Sequence, residues 1–66
     1  MEVNKKLKEY LDAHGITQAF LVKKTGIPHW TICNILSGKR KITAEELGRI
    51  SNALGVSANI FLESVV

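Results

Sequence analysis

Glycine closes one short amphipathic stretch after another in this chain: His14-Gly15-Ile16, Thr25-Gly26-Ile27, Ser37-Gly38 and Leu54-Gly55-Val56. A glycine followed by an apolar residue is a common way to end a helix. Glycine accepts the left-handed backbone there, and the next side chain folds back onto the last turn. Between these stops the apolar residues keep helical spacing. Val3, Leu7 and Leu11 recur at i, i+4 and i+8, with Tyr10 alongside. Thr17 is placed to cap a second helix carrying Leu21 and Val22. Pro28 suits the first turn of a third helix, whose stripe is Ile32, Ile35 and Leu36. Thr43-Ala44-Glu45-Glu46 has the form of a capping box and opens a fourth helix with Leu47, Ile50 and Leu54. Ser57 can cap a fifth, with Ala58, Phe61, Leu62 and Val65 on one face. Gly48 falls inside the fourth helix, where glycine costs ~1 kcal/mol against alanine; close approach of another helix is one reason to have it. No stretch alternates with period two for long enough to make a strand. The pattern predicts an all-α fold of five short helices around one core.

That core has to be small. With 66 residues the chain has room for one domain, residues 1–66, and no effector domain beside it. A chain of this size buries only about 60% of its unfolded surface. A hydrophobic share of 45% is too high for a disordered tail. The single cysteine excludes a disulfide framework and a Cys-rich zinc finger, and fits a reducing, intracellular setting. The N-terminus lacks a signal-peptide pattern, and no apolar run approaches the ~18 residues of a membrane span. A cytoplasmic protein without a membrane partner is therefore expected. Enzymes this small are rare, which favours a binding function. His29 and Cys33 stand at i and i+4, but His14 is the sole candidate for a third metal ligand. Cys33 as a nucleophile lacks a base and an oxyanion site. The residues call for no metal, no cofactor and no catalysis.

The distribution of charge is more informative than its sum. Nine Lys and Arg against six Asp and Glu give a net +3. The acids are Glu2, Glu9, Asp12, Glu45, Glu46 and Glu63, so nothing from Ala13 to Ala44 carries a carboxylate. Lys23, Lys24, Lys39, Arg40 and Lys41 all fall inside that window. A basic middle between neutral or mildly acidic ends points to a surface that faces a polyanion, although a solvated surface of chance sign has the same composition.

The informative unit is TQAFLVKKTGIPHWTICNILSGKRK, residues 17–41, in which two short helices meet at a tight glycine turn. It resembles the helix-turn-helix of the Cro and phage-repressor (xenobiotic-response-element) family, with the motif at about residues 17–36. Gln18 matches the glutamine that opens the first motif helix, Gly26 the turn glycine, Ile32 and Ile35 the buried pair of the recognition helix, and Gly38 the glycine before the basic loop. The tail ITAEELGRISNALGVSANIFL is similar to the family's last two helices, so the resemblance covers roughly residues 4–62. Two positions depart from the pattern. Val22 replaces a small residue, often alanine, which implies slightly wider helix spacing. Pro28 stands where Ser or Thr usually opens the recognition helix.

Counting about 100° per residue, His29, Trp30, Cys33 and Asn34 lie off the apolar stripe of the third helix. The resemblance implies that this helix lies in the major groove of double-stranded DNA, with His29, Trp30, Thr31 and Asn34 as base readers and Pro28 close by. Asn can bond adenine's edge twice, His can donate to guanine, and Thr or Trp can touch a thymine methyl. It further implies phosphate contacts from Gln18, Ser37, Lys39, Arg40 and Lys41, with Lys23 and Lys24 weaker candidates. Trp30 packed against the protein is the competing reading of that residue, and Phe20 is expected to face outward without a function. One recognition helix reads few base pairs, so a homodimer is expected, at least on DNA. With Phe61 plugging the core below the fourth helix, Ile60, Leu62, Val65 and Val66 are left to form the interface. The expected function is a sequence-specific transcriptional regulator of bacterial or phage type, associated with the nucleoid and acting as a repressor at a palindromic operator, with an antirepressor as a further possible partner. An antitoxin that also grips a toxin has the same domain. A protein-interaction module that kept the fold without DNA binding is the reading from another class, and the acid-free middle argues against it.

Overall fold

The apolar stripes become the contact faces of five helices: α1 (Glu2–His14), α2 (Gln18–Thr25), α3 (His29–Leu36), α4 (Ala44–Leu54) and α5 (Asn59–Leu62). The computed structural model describes residues 2–62, so the interface expected to include Val65 and Val66 falls partly outside the described residues. Val3, Leu7 and Leu11 of α1, Leu21 of α2, Ile27, the α3 stripe Ile32, Ile35 and Leu36, Leu47 and Ile50 of α4, and Phe61 of α5 form one buried cluster. Fully burying a side chain of this kind contributes ~1.5–3 kcal/mol. Such a cluster is what holds helices that are individually too short to persist in water.

Helix α2 packs on both α3 and α4, while α1 packs on α3 and α5. Helix α3 is thus braced from two sides. The caps are those the sequence advertises. Thr17 Oγ1 accepts from the Phe20 amide at 3.1 Å. Thr43 Oγ1 accepts from the Glu46 amide at 3.1 Å while Glu46 Oε1 accepts from the Thr43 amide at 3.0 Å, closing both arms of the capping box. At the end of α1 the Ile16 amide reaches back to the Leu11 carbonyl at 2.9 Å, and at the end of α4 Val56 does the same to Ser51 at 3.0 Å. In both places the apolar residue after the glycine lands partly buried against the core.

Four expectations change in detail. Helix α3 begins at His29, with Pro28 as the residue before it rather than inside its first turn. Phe61 is buried, but α5 docks on α1, where the Phe61 ring meets Tyr10 edge-on at 5.6 Å between centroids. Gly48 has no neighbour within 4 Å of where a Cβ would stand, so close helix approach is not its reason. Leu62 does not share the buried face of Ala58 and Phe61; it is exposed. Among the described residues no helix is long and apolar enough to cross a membrane.

Candidate nucleic-acid interface

The turn between α2 and α3 sets the direction of everything that follows. Gly26 has φ 77°, and its amide donates to the Val22 carbonyl at 3.0 Å. Any L side chain there is strained by the left-handed backbone itself, since open space surrounds the position. Thr25 completes the turn. Its hydroxyl donates to the Leu21 carbonyl at 2.6 Å and accepts from the Ile27 amide at 3.1 Å. Ile27 is thereby turned into the core, and α3 packs back against α2. Pro28 contributes no side-chain cap, so the opening amides of α3 receive none.

Helix α3 has two unlike faces. Thr31, Ile32, Ile35 and Leu36 are buried. His29, Trp30 and Cys33 are exposed and Asn34 is half-buried. Trp30 stands 64% exposed, which excludes the packing of its ring into the protein. Thr31 is a correction to the expected set of base readers. It is only 4% exposed, because one helical turn separates it from Ile35 and places both on the core side. Threonine's methyl lets it join that face; its register, not its chemistry, removes it from the exposed side of α3.

After α3 the chain folds over the carbonyl of Asn34, which accepts from the Lys39 amide at 2.9 Å, the Arg40 amide at 3.4 Å and the Ser37 hydroxyl at 3.2 Å. The loop that carries the basic run is therefore shaped by the same residue whose side chain lies at the exposed edge of α3. Lys39 and Lys41 are exposed. Arg40 is engaged within the protein: its Nη2 donates to Glu46 Oε2 at 3.1 Å and Oε1 at 3.3 Å. By sequence alone Arg40 groups with the two lysines, because Glu46 lies beyond the acid-free window and no helical spacing links them. Ser37 likewise has its hydroxyl proton committed to the Asn34 carbonyl. Gln18 opens α2, half-buried, immediately after the Thr17 cap. Lys23 and Lys24 are exposed, and Lys24 Nζ sits 5.9 Å above the centre of the exposed Phe20 ring.

One participant is absent from the expected set, although its register three residues before Leu7 puts it on the buried stripe of α1. Asn4 stands among lysines in α1, yet it is 2% exposed. Its Nδ2 donates to the Ile35 carbonyl at 2.7 Å and to the Arg40 carbonyl at 2.9 Å. Away from this region, Ile60 and Leu62 of α5 are 38% and 40% exposed.

A helix-turn-helix family model matches residues 7–61, which includes the whole of α2, α3 and α4 and the loop between the last two. No curated protein and no solved structure matches the chain.

Proposed function

Because the chain belongs to the helix-turn-helix family of Cro and the phage repressors, a family of DNA-binding regulators, we propose that it is a sequence-specific repressor that sets α3 into the major groove of a palindromic operator. The observation that carries this reading is the division of α3 into a buried apolar face and an exposed face of His29, Trp30, Cys33 and Asn34, inside a stretch free of carboxylates. Asn34 is the adenine reader, His29 donates to a guanine acceptor, and Trp30 meets a thymine methyl. Gln18, Lys39 and Lys41 hold phosphates on either side, which fixes register without reading sequence. The protein acts in the cytoplasm, on the nucleoid.

A second copy joins through α5. Ile60 and Leu62 expose apolar surface on a very short helix, on either side of the buried Phe61, and a two-fold pair places two recognition helices about 34 Å apart, one turn of the duplex. The contact is small, so the pair forms firmly on DNA and weakly in solution. Selection from a random duplex library tests the reading. It is expected to return a two-fold symmetric site whose affinity falls steeply with salt, by ~0.9 in log K per phosphate neutralised. Selection of no motif, or an affinity flat between low and moderate salt, overturns it.

A further inference from the structure

We infer that Asn4 is a positioning residue for the phosphate contacts: from α1 it fastens the basic loop to the end of α3, so that Lys39 and Lys41 are held ready for the duplex. The inference rests on the DNA-binding reading for its purpose, and on geometry for its substance. A side-chain amide carries two N–H groups, and Asn4 gives them to two carbonyls that are distant in sequence but adjacent in space, Ile35 in the last turn of α3 and Arg40 in the middle of the loop. These acceptors also fix which way the amide points, since only nitrogen can face two carbonyl oxygens.

The arrangement is costly to the fold. Asn4 Oδ1 is buried without a partner, one of two such atoms among the described residues, the other being Ser51 Oγ. A leucine of similar size there removes that unpaired acceptor and adds to the apolar stripe of Val3, Leu7 and Leu11. What leucine cannot do is bond the Arg40 carbonyl. The loop has a second fastening, the ion pair of the Arg40 guanidinium with Glu46 at the start of α4. Between them the two ties hold Arg40 by its backbone from α1 and by its side chain from α4. The exposed lysines on either side of it are then presented by a loop whose ordering cost is met before DNA arrives.

Asn4→Leu separates this role from simple core filling, and Asn4→Ala carries the same comparison if the leucine variant does not fold. Two readouts are needed. Amide hydrogen exchange of Lys39 and Arg40, whose N–H groups bond the Asn34 carbonyl, is expected to quicken at least tenfold in the variant while the α4 core amides keep their rates. Binding to the duplex selected by the wild-type protein is expected to weaken three- to tenfold. The dependence of log K on log salt is expected to become shallower by about 0.9 for each lysine that loses its phosphate. In a Lys39→Ala, Lys41→Ala background, Asn4→Leu is expected to cause no further loss. Unchanged exchange at Lys39 and Arg40 overturns the inference, as does an equal loss of affinity with and without the lysines. A wild-type protein that binds no duplex ends the DNA-binding reading and with it the purpose assigned to Asn4, whereas the exchange rates still decide whether Asn4 ties the loop.

Discussion

At Asn34 one residue does two jobs with different atoms. Its carbonyl gathers the Ser37 hydroxyl and the Lys39 and Arg40 amides, while its side chain lies at the exposed edge of α3. Asn34→Ala keeps the carbonyl and removes only the amide, so the loop should persist and the base contact should not. The expected cost is ~1–3 kcal/mol on the preferred site with relaxed choice at one base pair, read by competition among single-pair variants of the selected duplex. An unchanged preference means that α3 sits in another register. Gly48 offers a test of stability alone. It is helical, exposed and has open space at the Cβ position. Gly48→Ala is expected to stabilise the fold by about 0.5–1 kcal/mol, seen as a higher Tm with DNA affinity unchanged. Single residues were also where the sequence was hardest to read. Thr31 and Asn4 are polar, and nothing in their type distinguishes a buried position from an exposed one. Thr31 was recoverable from register, being four residues before Ile35. The burial of Asn4 was recoverable in the same way, three residues before Leu7 and seven before Leu11, but its partners were not, being backbone carbonyls more than thirty residues away.

Elements were legible because each is bounded by local chemistry. The stripes, the Thr17 and Thr43 caps and the glycine stops all depend on neighbours within about one helical turn, and they appear where the sequence put them. Pairings across a loop have no such period, which is why the Arg40–Glu46 contact was missed. Glu46 there serves two partners, the capping box of α4 and the guanidinium of Arg40. Both side chains keep some solvent access, so the pair adds at most ~1 kcal/mol to stability. It also engages the Arg40 guanidinium within the protein. Glu46→Gln preserves the capping arm, since glutamine serves at that position, and releases the guanidinium. It should bind random-sequence duplex more tightly, with a salt slope steeper by about one, at nearly unchanged Tm. Weaker binding in this variant shows that Arg40 acts only by shaping the loop. Glu46→Ala, which also loses the capping arm, should cost a further ~0.3–1.5 kcal/mol of stability in a denaturant titration.

At the level of the whole molecule, stability and assembly meet in α5. Phe61 points inward and is 1% exposed; Ile60 and Leu62 on either side of it point outward. Changing them should therefore have separable consequences. Phe61→Ala leaves a large cavity between α5 and α1 and is expected to cost ~3–5 kcal/mol. A chain of this length is expected to have only a few kcal/mol of stability in total, so circular dichroism should show a largely unfolded population at 37 °C. Leu62→Asp should leave the fold intact and weaken occupancy of the two-fold site far more than of an isolated half-site. Equal loss on both, or none, removes α5 as the contact between copies.

The exposure of Trp30 on α3 also makes it an optical label. It is the chain's only tryptophan, and 64% of it already meets solvent in the folded state. Unfolding changes its surroundings little, so its emission should show only a small cooperative change across a denaturant titration at fixed temperature. Closure of a groove over α3 strips that solvent away and brings stacked bases within quenching range. Fluorescence of the unmodified protein should then report occupancy without reporting folding, and a titration read this way needs no dye, tag or correction for the unfolded fraction's colour.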